Sequence, residues 1–222
     1  MNDMFDPDFS DQRREMVERQ LRGRGISDAR VLAAMEAVPR EEFVPDDLRQ
    51  CAYDDGAMPI GWGQTISQPY VVAYMAEVAQ LQPEDRVLEI GTGSGYAAAV
   101  LGRLCREVHT VERIPELEEQ ARERLQRLGY TNVFTHLDDG TQGLARHAPY
   151  AAILVPAAAK EVPTPLMDQL SEGGRLVIPI GNRGGGQRMM RYILQGRTLM
   201  SDDLGPFAFV PLIGVHGFSE RD

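Results

Sequence analysis

Three glycines at alternate positions, Gly91, Gly93 and Gly95, close the segment Arg86-Val-Leu-Glu-Ile-Gly-Thr-Gly-Ser-Gly-Tyr96. Val87, Leu88 and Ile90 are strand formers, and Ala97, Val100, Leu101 and Leu104 then recur at helical spacing. A glycine turn between a strand and a helix lets backbone N–H groups approach a nucleotide-like ligand, with Thr92 inside the turn. The dinucleotide fingerprint G-x-G-x-x-G needs glycine at 96, where this chain has Tyr96. The spacing therefore points away from NAD and toward S-adenosylmethionine.

Acidic residues recur at the ends of successive strands: Glu89 before the turn, Glu112 in Thr-Val-Glu-Arg, and Asp139 in Asp138-Asp139-Gly140. Glu112 follows Glu89 by 112 − 89 = 23 residues, close to the ~20-residue spacing at which an acid reaches ribose hydroxyls. Each acid alone reads as a helix cap or a turn residue. Together they suit an ammonium, a sulfonium and a ribose diol, by charge and by accepting hydrogen bonds. His109, His136, His147 and His216 are scattered in sequence and read as core or surface side chains. No nucleophile–histidine–acid set and no metal-ligand spacing stands out.

The elements that must position these groups alternate. Ser10 and Ser27 are candidate caps for two helices, the second ending at Pro39. Residues 40–66 read as irregular, and a third helix starts at Ser67. Strands are expected at 86–90, 107–112, 133–137, 150–155 and 175–180, with helices at 95–105, 114–128 and 163–171 and a short helical turn after the third strand. Two late strands, about 188–195 and 207–213, have no helix between them and should be antiparallel. The expected fold is α/β, a doubly wound, mostly parallel seven-stranded sheet of Rossmann-like type. Residues 1–80 would form a helical cap packed on a core of 81–222.

Composition narrows the partners. Acidic residues outnumber basic ones 33 to 23, a formal charge of −10, which disfavours phosphate-backbone binding. Arg183, Arg188 and Arg191 in a glycine-rich stretch read as solvated surface. Cys51 and Cys105 make no disulfide framework. No 18-residue apolar run exists, and Met1-Asn-Asp-Met-Phe-Asp6 lacks the basic and apolar regions of a leader. A cytoplasmic protein with no nucleic-acid or membrane partner is expected.

Over nearly its whole length the chain resembles the bacterial protein-L-isoaspartate O-methyltransferases. Met16-Val-Glu-Arg-Gln-Leu-Arg-Gly-Arg-Gly-Ile26, Arg30-Val-Leu-Ala-Ala-Met-Glu-Ala-Val-Pro-Arg40 and Phe43-Val-Pro45 are similar to that family's opening segments. Pro59-Ile-Gly-Trp-Gly-Gln-Thr-Ile-Ser-Gln-Pro-Tyr70 is similar to its signature, which other methyltransferases lack, and Phe209-Val-Pro-Leu212 resembles its substrate-side strand. The resemblance implies methyl transfer from S-adenosyl-L-methionine to the α-carboxylate of L-isoaspartyl residues in damaged proteins and peptides. S-adenosyl-L-homocysteine is the other product, and the ester closes to a succinimide. It implies Ser67 as the active-site serine, a positioning group at a helix start. Gln64, Thr65, Ile66 and Gly140 would border the cofactor, and Val210 and Leu212 would pair through their backbones with the substrate. The chain is expected to act as a monomer. It departs from the family pattern at Ala151, where aspartate is usual, at Pro156, where a small or hydroxylated residue is usual, and at Asp138, where glycine is usual. Methylation of a different carboxylate and a silent cofactor-binding protein are the alternatives, with an NAD-dependent oxidoreductase disfavoured by Tyr96.

Overall fold

Residues 9–196 and 198–220 are described by a computed structural model. Residues 1–8, read above for the absence of a leader, lie outside them. Met16, Val17 and Leu21 face inward from one helical run, α1 (Ser10–Glu15) prolonged by a π-helical stretch over Met16–Leu21. Gly25, at φ 96°, ends it. In α2 (Ala29–Ala37) the cap is Asp28, whose carboxylate accepts from the Arg30 N–H at 2.8 Å, one residue later than the expected Ser27. The first helix likewise is preceded by Phe9 and has no side-chain cap, so Ser10 is its first helical residue.

Residues 40–66 are more regular than expected. They hold 3-10 turns at Arg40–Phe43 and Asp46–Cys51, then a hairpin of β1 (Met58–Gly61) and β2 (Gln64–Ile66). Met58, Ile60 and Ile66 alternate inward, and the two linking residues, Trp62 and Gly63, have φ 49° and 70°. Two successive positive φ values are what a type I′ hairpin turn requires. A tryptophan in that conformation is rare, which is why the sequence reads as loop. Helix α3 (Pro69–Val78) follows with proline in its first turn.

The main sheet comprises β3 (Arg86–Ile90), β4 (Glu107–Glu112), β5 (Val133–Leu137), β6 (Tyr150–Leu154), β7 (Leu170–Asn182), β8 (Gly185–Gln195) and β9 (Thr198–Pro206). Their order is β5-β4-β3-β6-β7-β8-β9, parallel through β7 and antiparallel after it. Helices α4 (Tyr96–Gly102), α5 (Pro115–Arg127) and the short α6 (Thr164–Asp168) supply crossovers. Between β5 and β6 the described chain makes only the 3-10 turns Gly140–Gln142 and Ala145–His147.

The last strand is Thr198–Pro206, not 207–213. The strand Thr-Leu-Met-Ser-Asp-Asp-Leu-Gly-Pro is a mostly exposed polar edge and carries no apolar alternation. The apolar run after it passes over the strand ends instead. There Pro211 bridges Ala158, whose N–H donates to the Val210 carbonyl at 2.8 Å and whose carbonyl accepts from the Leu212 N–H at 2.7 Å.

Alternation along each strand gives the sheet two buried faces. Leu88, Ile90, Ile153, Leu176 and Ile178 pack on one side. Val87, Val108, Ala152, Leu154 and Val177 pack on the other, in one cluster with Met16, Leu21, Met35 and Val100. The N-terminal helices thus complete the sheet's own core. Among the described residues no helix is long and apolar enough to cross a membrane.

Candidate active site

The chain leaves β3 toward β4 and β5, then returns to its other side at β6. Beyond the carboxyl ends of the strands, at this reversal, lies an open cleft of about 820 Å³. Gln64, Thr65, Ile66 and Ser67 line it from the hairpin side. Glu89, Gly91, Thr92 and Gly93 line it from the turn, Glu112 and Gly140 from the neighbouring strands, and Val210 and Leu212 from the C-terminal segment. The hairpin is a strand rather than the loop expected, and its position over the glycine turn is fixed by Ile60 and Ile66, both buried.

The three glycines do different things. Gly91 has φ 101°, and a Cβ there would meet nothing within 4 Å. Gly95, at φ 88°, does not line the cleft; a Cβ there would lie 3.3 Å from Leu125 of α5, so this glycine lets helix and turn pack. The Gly93 N–H donates to Glu112 Oε2 at 2.9 Å, while Glu112 Oε1 accepts from the Arg113 and Ile114 N–H groups. One carboxylate therefore ties the turn to the end of β4 and still borders the cleft.

Glu89 lies under the turn, 1% exposed. Burial pushes its carboxyl up to about 8; the Thr110 hydroxyl, donating to Oε2 at 2.6 Å, opposes this, and the Glu112 charge adds to it. Thr92 and Thr110 hydroxyls are 2.7 Å apart, completing a chain from the turn to the buried acid. Thr110 is invisible to sequence reasoning, because only the register Glu89↔Thr110 brings it there.

Asp139 sits outside the main cleft, in an adjoining hollow it shares with Arg113, Ile213 and Glu220. Its carboxylate accepts from the Thr141 N–H (2.9 Å), the Thr141 hydroxyl (2.7 Å) and the Val215 N–H (2.8 Å). Burial works against ionisation, but these donors hold the carboxyl below its usual range. It clasps the C-terminal segment to the end of β5.

Ser67 precedes α3 but does not cap it; the capping position is Gln68 and no side chain caps the helix. Among the described residues the Ser67 hydroxyl has no hydrogen-bond partner, and it borders both the main cleft and a second groove of about 840 Å³. Pro156 and Val210 line both spaces too, so the Pro156 departure falls at their junction. The Val210 carbonyl and Leu212 N–H are engaged by Ala158, which takes those two backbone groups from a peptide partner and leaves their side chains as cleft walls.

Three of the four histidines are not scattered. His109 of β4, His136 of β5 and His147 of the 3-10 turn before β6 gather together, with His109 and His147 rings stacked at 4.1 Å. Burial holds His109 below its ordinary value, and burial with the nearby His109 and Arg146 takes His136 down to about 4.

The donor set suits S-adenosyl-L-methionine. Two carboxylates, Glu89 and Glu112, can face a cation and accept from hydroxyls, and the Gly91 backbone carries no Cβ where one would project into the cleft. Comparison with known proteins agrees. Residues 11–217 match the profile of the family described as Protein-L-isoaspartate(D-aspartate) O-methyltransferase (PCMT). A Protein-L-isoaspartate O-methyltransferase of Roseiflexus sp. (strain RS-1) is 54% identical over 212 residues, covering 96% of each chain. Protein-L-isoaspartate O-methyltransferase 2 of Pelobacter propionicus is 55% identical over 208 residues, 93% of this chain and 92% of its own. Among solved structures, a protein-L-isoaspartate O-methyltransferase is 31% identical with TM-score 0.84, covering 92% of this chain and 67% of that one. Another, from Plasmodium falciparum in complex with S-adenosyl-L-homocysteine, is 26% identical with TM-score 0.79, covering 90% of this chain and 98% of that one. A glycine turn braced by Glu112, a buried acid beneath it, a signature hairpin above it and these matches together place the chain in the protein-L-isoaspartate(D-aspartate) O-methyltransferase family.

Proposed function

We propose that this chain methylates the α-carboxylate of L-isoaspartyl residues in damaged proteins and peptides, with S-adenosyl-L-methionine as donor. When bound, the cofactor supplies an electrophilic methyl on sulfur, so one C–S bond breaks as one C–O bond forms. The rest falls to the protein. A carboxylate of pKa near ~4 is already ionised at neutral pH and needs no general base. What is required is alignment and exclusion of water.

The observation that carries this reading is the position of Ser67. Its unengaged hydroxyl borders the cleft walled by glycine and glutamate, and also the groove running toward Phe209. A carboxylate entering from the groove can accept from that hydroxyl and be held toward the cleft. Glu89 and Glu112 face the cofactor's cationic end and ribose, and Thr65 and Ile66 close the space above. Asp139 acts at one remove, holding the C-terminal segment in place. The acidic chain works without nucleic acid, as a cytoplasmic monomer.

The deciding experiment compares isoaspartyl and aspartyl peptides of one sequence for a methyl mass gain. Labelling confined to the isoaspartyl peptide supports repair; equal labelling moves the reading to a different carboxylate. Calorimetry with S-adenosyl-L-methionine and NAD tests the cofactor separately.

A further inference from the structure

We propose that His109, His136 and His147 form a binding site for a divalent transition metal of the zinc class, separate from the methyl-transfer cleft. None of the three lines that cleft. They come from β4, from β5 and from the 3-10 turn before β6, spaced by 27 and 11 residues, which no metal-ligand motif resembles. The fold nevertheless brings one ring nitrogen of each within 4.8 Å of the others. In a tetrahedral site with metal–nitrogen bonds of ~2.0–2.1 Å, ligand atoms stand about 3.3 Å apart. His109 Nδ1 and His136 Nε2 are already 2.9 Å apart, while the His147 ring, stacked on His109 at 4.1 Å, must turn out of the stack to aim its in-plane lone pair at the same ion.

The surroundings are those of a supported site. Glu107 Oε1 accepts from His109 Nε2 at 2.7 Å, which fixes the ring and turns the Nδ1 lone pair toward His136. Arg86 pairs with Glu107 at 3.2 Å and donates to the His147 carbonyl at 3.1 Å, anchoring the turn that carries the third ligand. Arg146 donates to His136 Nδ1 at 2.9 Å, so the His136 proton rests on Nε2 in this arrangement. On metal binding that proton moves to Nδ1 and the exposed Arg146 swings away; the ring stays neutral and no proton is lost. Arg86 and Arg146 are balanced by Glu107 and Asp138, the other charged groups around the cluster.

Three imidazoles without a thiolate suit zinc, nickel or copper(II), whereas magnesium and calcium want oxygen. His136 and His147 are only half-buried, which leaves a coordination position facing solvent. His109 precedes Glu112 by three residues on β4, and His136 of β5 precedes by three Asp139, which lies just past that strand. A metal here would cross-link the strands that hold both acids in place.

The test uses the full untagged chain, stripped with a chelator and titrated calorimetrically with zinc chloride. One equivalent should bind with micromolar or tighter affinity. The melting midpoint should rise by roughly 5 °C at a hundredfold excess over Kd. His136→Gln and His147→Gln should each weaken binding at least about tenfold, while His216→Gln should not. Circular dichroism checks folding, and His147→Gln, in a surface turn, carries the test if His136→Gln misfolds. With copper(II), paramagnetic resonance should show coupling to imidazole nitrogen. Absence of a one-equivalent site, or equal affinity in the His136 and His147 variants, overturns the proposal.

Discussion

Thr110 donates its hydroxyl proton to the buried Glu89 carboxylate at 2.6 Å, directly beneath the glycine turn. This single donor does not offset desolvation, and the carboxyl is pushed up to about 8 from an ordinary 4.5. In the ligand-free chain the native state therefore keeps a proton that the unfolded state has lost. The associated stability is fully present below about pH 4.5 and is lost as pH rises through about 8. Glu89→Gln should flatten that loss and, near pH ~9, exceed the parent in stability by on the order of 1–3 kcal/mol, measured by urea denaturation. Cofactor affinity should run the other way, rising with pH in the parent as Glu89 ionises and staying weak and level in the variant.

Ser67→Ala removes a donor without touching the carboxylates or glycines around the cofactor. A hydrogen bond to a charged partner is worth about 1.5–3 kcal/mol, so kcat/KM for an isoaspartyl peptide should fall about 10- to 100-fold. The Kd for S-adenosyl-L-methionine should change by less than about twofold. An unchanged rate would remove Ser67 from its positioning role.

Gly91 and Gly95 separate binding from packing. Both carry positive φ, so alanine at either costs ~1 kcal/mol or more. A Cβ at Gly95 additionally meets Leu125 at 3.3 Å, whereas one at Gly91 projects into open cleft. Gly95→Ala should lower the melting midpoint more than Gly91→Ala does. Gly91→Ala should weaken cofactor binding at least about tenfold, by occupying space the ligand needs. Paired melting curves and calorimetry distinguish the two.

Asp139→Asn should loosen the C-terminal segment. The amide keeps one acceptor oxygen in place of two, so either the Thr141 or the Val215 donors lose their partner, at a cost of about 1 kcal/mol. The parent's carboxyl is held below 3.8, so its contribution is present above that value and is lost as pH falls through the lowered one. Limited proteolysis near residues 213–220 should be faster in the variant at neutral pH.

Strands β3, β4 and β6 are legible because each carries strand-forming residues and is followed by a helix, whereas β5 is followed only by 3-10 turns. The site acids are legible because a strand end is where such a sheet exposes function. Five features are not. The hairpin over 58–66 depends on Trp62 adopting a conformation that propensity disfavours. Strand β9 is an exposed polar edge, so its pairing with β8 supplies the order that no side-chain pattern advertises. Phe209-Val-Pro-Leu212 is apolar because it roofs the cleft, and that apolarity imitates a strand. The role of Thr110 arises from register alone, and the histidine cluster from register together with the turn that carries His147; register is set by the whole sheet.

Trp62 is the chain's single tryptophan and stands 46% exposed at the tip of the hairpin whose second strand walls the cleft. All indole emission from this protein thus originates at the tip of that hairpin. Any ligand-driven burial of that hairpin tip would shift the emission to shorter wavelength, an intrinsic readout of hairpin movement that needs no attached dye.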